Sequence, residues 1–280
     1  MMTKQIRWSA GYKGNHTLLK KLNDSMRVIF ILLFVFPIAV PAQTDSILSG
    51  VYNWKVPPKQ SSKSISSAIL FQGKAFDLQW LQVSANQLKA VKTKIDIQVP
   101  TDEEQLLIVK SGRISLELNE STHTVGAGTV ALLIPGQKYA LETQKNEACT
   151  YYLMRYRSKH EKVLESANTA GGSLITDLDK IAFKPHDKGG RRDLLERPTA
   201  MFRRLEIHET TLKQGLKSHE PHTHKAEEIV LVTDGRTEME IAGKLYPGGT
   251  GSIYYLGSNV PHALKNNGNT NCVYFAIQFE

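Results

Sequence analysis

The sequence predicts an all-β fold made of two tandem copies of one barrel. After residue 60, short runs rich in β-branched and aromatic residues are broken by Gly, Asn and Asp about every 8–12 residues, the rhythm of a sandwich or barrel. The landmarks of those runs recur at one constant spacing. QLLIVKSG ends at Gly112 and EIVLVTDG at Gly235, Gly128 pairs with Gly251, and Cys149 with Cys272, each pair 123 residues apart. A unit repeated at that length means two copies of one domain. Helical signals are few, the clearest lying around residues 159–166.

Taken in order, the chain opens with a leader over residues 1–42. Val28 to Phe36 reads VIFILLFVF, within an apolar stretch 28–40 that is short for a bilayer span but fits a secretory signal. Val40 and Ala42 suit a cleavage site before Gln43, and Met26 offers an alternative true start. On the other reading the run is an uncleaved anchor; on both, the folded part is exported. The cleaved reading is the expected one, giving a periplasmic or secreted protein with no stable membrane insertion of the mature chain. Removing the leader's six Lys/Arg and one Asp lowers the net charge from +8 to +3, which gives a nucleic-acid partner no support. The first barrel is expected over 43–165, a linker over 166–198, where KPHDKGGRRDLLERP is polar and Gly-rich, and the second barrel over 199–280. Cys149 and Cys272 lie in apolar β-like runs and read as buried free thiols, with a bridge between them left open.

The second copy holds the chemistry. His222 and His224, as His-x-His, share one face of an extended strand. Glu228 lies an even number of residues beyond His224, and His262 comes from another strand after a second Gly-rich turn. Three imidazoles and one carboxylate suit one divalent metal ion with about two coordination positions open. With no thiolate, the ion is Mn, Fe, Ni, Co or Zn rather than a structural zinc cluster. At the 123-residue offset the four positions become Val99, Thr101, Gln105 and Tyr139, so the first copy is degenerate and plays a structural or pocket-shaping part.

The strand MFRRLEIHETTL precedes the motif. One face carries Phe202, Arg204, Glu206, His208 and Thr210. Either it is a solvated polar stripe, or it turns Glu206 and His208 inward as catalytic groups and Arg204 as an anchor for a carboxylate substrate. Arg191 and Arg192 read as solvated linker charges, with a lid over the site as the sharper alternative. Tyr254 and Tyr255 neighbour the second motif; one of them is expected in the core, and Tyr254 is placed at the substrate. His219 reads as a turn residue rather than a fifth ligand.

Gly215, His222, His224, Glu228 and Gly235, followed by Gly251, Pro261, His262 and Asn266, resemble the two motifs of the cupin superfamily, except that Gly257-Ser258-Asn259 replaces the usual Pro-x-Gly. The resemblance implies double-stranded β-helix (jelly-roll) barrels and a bicupin. Among bicupins the chain is distantly similar to the (S)-ureidoglycine aminohydrolase group, in the EIHETTL strand around His208, the Gly215 turn and the short last strand ending at Glu280. That likeness implies Mn in the C-terminal barrel and release of ammonia from an α-amino acid derivative. The group's ligands correspond to Glu, His, His and Gln, whereas this chain has the general cupin set.

The expectation is a metal-dependent enzyme acting on a small carboxylate-bearing molecule, its reaction a hydrolysis, lyase or isomerase step, decarboxylation or dioxygenation. The alternatives are a periplasmic protein that binds a sugar or sugar acid without catalysis, and a barrel in which the metal is structural. A homo-oligomer is compatible with all three.

Overall fold

The computed structural model describes residues 45–56, 64–143, 147–160 and 164–280. The leader assigned to residues 1–42 lies outside these described residues. In chain order the first strands are β1 (Gly50–Asn53), β2 (Ile65–Gly73), β3 (Leu78–Leu88), β4 (Thr93–Gln98), β5 (Glu104–Ser111), β6 (Ile114–Leu118), β7 (Ser121–Val125), β8 (Val130–Leu133), β9 (Lys138–Thr143) and β10 (Cys149–Ser158). After a short helix α1 (Leu164–Thr169) come β11 (Leu174–Thr176), β12 (Lys184–His186), β13 (Gly189–Arg197) and β14 (Leu205–Leu212). The last are β15 (Glu227–Asp234), β16 (Arg236–Ile241), β17 (Lys244–Gly249), β18 (Ser252–Leu256), β19 (His262–Asn266) and β20 (Cys272–Phe279).

These strands form two large sheets, β11-β8-β5-β10-β3-β2 and β1-β18-β15-β20-β14-β13-β12. The small sheet β4-β9-β6-β7 completes the first barrel, and β17-β16-β19 completes the second. The central strands β5 and β15 read as unbroken apolar runs because both faces are covered. Leu106 and Ile108, with Ile229 and Leu231, face a shared core between the two large sheets. The alternating Leu107 and Val109 fill the first barrel, and Val230 and Val232 the second. Period-two alternation therefore separates a seam residue from an interior residue at every step.

Gly112 and Gly235 mark the same turn in each copy. Both have positive φ, +78° and +85°, and a Cβ there would meet Ala148 O at 2.0 Å or Cys272 Cα at 2.8 Å. Only glycine fits such a conformation under such contact. The repeat's landmarks are thus backbone requirements.

Two buried carboxylates cross the seam in a matching way. Glu227 accepts hydrogen bonds from Phe76 N (2.8 Å), Asp77 N (3.1 Å) and the Tyr255 hydroxyl (2.5 Å). Glu104, its counterpart 123 residues earlier, accepts from Ala200 N (3.1 Å) and the Tyr156 hydroxyl (2.8 Å). Each copy thereby ties down the loop that leads into a strand of the other.

The expected domain boundaries are changed in two places. β1 lies within the segment assigned to the first barrel, but it pairs with β18 of the second, Val51 opposite Tyr254. Conversely β11, from the expected linker, pairs with β8 of the first, Ile175 opposite Ala131. The two copies exchange edge strands. The rest of the linker is an edge hairpin, β12 with β13, and β13 continues the second large sheet beside β14. Its charges look like those of a loop but are spent on ion pairs, Lys184 with Asp193 and Arg192 with Glu209. Cys149 and Cys272 are buried free thiols in separate cores. No described helix is long and apolar enough to cross a membrane.

Candidate metal centre

His222, His224 and His262 present ring nitrogens that all lie within 4.8 Å of one another. His262 opens β19, and its backbone exchanges hydrogen bonds with that of His222, N to O at 3.1 and 3.2 Å. The His-x-His pair sits on an irregular stretch, held by this bridge and by Asn259 N donating to His224 O at 2.8 Å, not on the continuous strand expected. Glu228, at the start of β15, brings Oε2 to 3.2 Å from both His224 Nε2 and His262 Nε2.

Proton accounting shows what this cluster lacks. His224 Nδ1 lies 2.8 Å from Ala226 O, and His262 Nδ1 lies 2.8 Å from Val260 O. A carbonyl only accepts, so each Nδ1 carries a proton and donates it. In the neutral ring the lone pair is then on Nε2, aimed at a carboxylate that also only accepts. His262 Nε2 is buried without a hydrogen-bond partner among the described residues. Rings so placed against one carboxylate call for positive charge, supplied either by protons on Nε2 or by a metal ion, and backbone carbonyls that fix the tautomer are how metal-binding imidazoles are commonly oriented. The residues fit a metal ion.

Burial alone would raise the carboxyl of Glu228, but the adjacent His224 and His262 rings hold it down at about 2. Its hydrogen bond to Glu228 raises His224 above the ordinary 6.5, while burial and the neighbouring rings lower His222. Because binding requires neutral imidazoles, a proton on His224 competes first. Apparent metal affinity should therefore begin to weaken as the pH falls through the raised pKa of His224, a fall that equilibrium dialysis across pH would follow. In metal-free protein, with those rings protonated, the depressed Glu228 carboxyl stabilises the fold above its ordinary pKa. That contribution is lost as pH falls from 4.5 towards 2.

A cavity of about 260 Å³ adjoins the cluster, with Arg191, Glu206, His208, His219, Met239 and Gln278 in its wall. The polar face of β14 points inward. Leu205 and Ile207 pack into the seam, so the alternating Glu206 and His208 face the cavity and are no solvated stripe. His208 Nδ1 lies 3.2 Å from Glu206 Oε1, which Arg191 also contacts at 3.2 Å. Burial, and then Arg191, lower the pKa of His208.

Two expected substrate contacts are not in this cavity. Arg204 stands just before β14, tied to Glu196 (3.0 Å) and Glu206, and its charge also bears on His224. Tyr254 is fully buried in the second barrel's own core, its hydroxyl 3.0 Å from Thr237 Oγ1. A residue one place along β18 alternates face, which puts Tyr255 in the seam. Arg191, read as a linker charge, is a wall residue because the linker is a strand. His219 is in the wall too, and its place beside the motif was the available signal.

In the first barrel the corresponding positions are closed by side chains. Val99 is buried, and the Tyr139 hydroxyl donates to Gln105 Oε1 at 3.0 Å. Gln105 donates in turn to buried Glu103 (2.8 Å), which Arg155 grips at 2.7 and 2.9 Å. Arg155 is the counterpart of Gln278 at the 123-residue offset. A guanidinium thus supplies the first barrel's cation.

Family models match two stretches of the chain, a cupin domain over residues 208–278 and an AraC-like ligand binding domain over 99–170. No curated protein matches the sequence. Among solved structures the chain is similar to AerE from Microcystis aeruginosa, with 16% identity and TM-score 0.61 over 82% of this chain and 98% of that one. It is similar to Ylba from E. coli, with 14% identity and TM-score 0.61 over 82% and 91%. A variant of Bacillus subtilis oxalate decarboxylase gives 10% identity and TM-score 0.60 over 84% and 78%. At such identities the likeness is one of fold. Residues 208–278 match a cupin domain, and the fold of the chain is a tandem pair of cupin-type jelly-roll barrels with the histidine cluster in the second.

Proposed function

We propose that the second barrel holds one divalent metal ion, Mn ahead of Fe, Ni, Co or Zn, and acts on a small carboxylate-bearing molecule. The observation that carries this reading is the pair of Nε2 lone pairs, of His224 and His262, facing the Glu228 carboxylate beside a cavity. When bound, the metal supplies a Lewis acid that polarises a chelating carboxylate or carbonyl. The cavity, at about 260 Å³, is small beside ordinary ligand sites of roughly 300–1,000 Å³, which limits the substrate to a compact metabolite.

His208 is the general base in this reading. With Nδ1 turned to Glu206, its Nε2 is left to accept a proton, and its lowered pKa keeps the ring neutral at pH 7. Glu206, gripped by Arg191 and Arg204, orients that ring and is a positioning residue. The (S)-ureidoglycine aminohydrolase group offers one template, supported by the strand around His208. The leader over residues 1–42 supports a periplasmic or secreted protein. A second reading, a binding protein without catalysis, is favoured by the match of 99–170 to a ligand-binding model.

Element analysis of protein purified without added metal, then a screen of small carboxylates for consumption, tests both. Changing His208 to Gln is expected to leave metal content intact and slow turnover by about 10²–10⁴-fold. Full turnover by that variant removes the assigned base, and retention of a carboxylate without its consumption favours the binding protein.

A further inference from the structure

The three histidines are not held alike. His224 and His262 each donate Nδ1–H to a backbone carbonyl, from Ala226 and Val260. The His222 ring has no such partner among the described residues, and it is the exposed member of the three. Its backbone is tied to His262, but that leaves the ring free to turn about its side-chain bonds. A ligand whose ring must be ordered on binding costs affinity relative to one already in place.

Something does hold it. The His219 ring meets the His222 ring edge to face, with centroids 4.0 Å apart and planes at 82°. His219 is well placed for this because its loop is pinned on both sides. Ser218 N and Oγ donate to Leu264 O at 2.9 and 3.1 Å, on the strand that carries His262. Lys188 Nζ donates to Ser218 O at 2.9 Å, and His219 Nδ1 is 3.0 Å from Glu220 O. The ring is therefore fixed by β19 and by the edge hairpin before it touches His222.

We propose that His219 is a positioning residue for the metal centre, its ring standing in for the carbonyl that His222 lacks. The inference rests on the metal reading above and concerns only the chain's own side chains. It makes the contact of ring on ring the working element, and not a nitrogen of His219.

The test uses the full chain, with Mn(II) affinity measured by competition against a chromophoric chelator and the visible absorption of Co(II) as a report on ligand geometry. His219→Ala should weaken Mn(II) binding about 10–100-fold, the range for groups that orient a ligand. It should also alter the Co(II) spectrum while leaving the melting temperature of metal-free protein unchanged. His219→Phe, which keeps an aromatic edge, should restore most of the affinity. In a His222→Ala background, His219→Ala should cost nothing further. Wild-type affinity in His219→Ala overturns the proposal. So does a His219→Phe variant as weak as His219→Ala, which would make His219 a ligand through its nitrogen. If the wild-type chain binds no Mn(II) or Co(II), the metal reading itself fails, and the two failures are told apart by that control.

Discussion

His224→Ala is expected to strip the second barrel of its metal while both barrels stay folded. The ring is half-buried beside Glu228, so its removal opens space towards solvent and leaves the seam between the large sheets untouched. What it takes away is one of the two Nε2 groups at 3.2 Å from Glu228. Loss of a direct ligand should exceed the roughly 10–100-fold cost of losing a group that merely orients one. Element analysis should find the ion below stoichiometry, and circular dichroism should be unchanged. Full metal occupancy in this variant would show that the four donors are not the ligand set.

Glu227→Ala should be the most destabilising single change in the seam. Its carboxylate is fully buried and satisfies two backbone N–H groups from the first barrel and the Tyr255 hydroxyl from the second. Alanine leaves three buried donors without an acceptor, at about 1–3 kcal/mol each, of which relaxation recovers part. A loss of about 4 kcal/mol is expected from denaturant unfolding, a large share of a typical total of roughly 5–15 kcal/mol. Glu227→Gln keeps one acceptor oxygen and should cost less. A loss under about 1 kcal/mol for the alanine variant would mean that water replaces the carboxylate, and the cross-seam tie would then carry little.

The repeat and the strand rhythm were legible because they are local. Gly112 and Gly235 are demanded by their turns, and β5 and β15 announce themselves by needing apolar residues on both faces. The four clustered donors were legible from their spacing around two Gly-rich turns, although the His-x-His pair sits on an irregular stretch and not on a strand. What remained hidden depends on distant partners. GVYN of β1 carries no mark of the strand it joins two hundred residues later. The hairpin of β12 and β13 was mistaken for a linker because an edge strand tolerates charge. The parity of β14 was read correctly for Glu206 and His208, yet the same parity could not say that Arg204 is tied to Glu196 and Glu206. Tyr254 neighbours the second motif in sequence, but that nearness could not say that its ring is spent in the barrel's own core.

Because Gly50–Asn53 seals the margin of the far barrel, neither half is a self-sufficient fragment. Expressing residues 199–280 alone would strip Ile253, Tyr254 and Tyr255 of their neighbours on one side and bare a row of peptide groups, which invites self-association. Proteolytic trimming at the amino end would likewise act at long range. It removes Ser49, whose hydroxyl accepts from Gly257 N, on the loop that leads to His262. The segment before the first copy, whatever chemistry that copy lacks, thus completes the sheet of its twin.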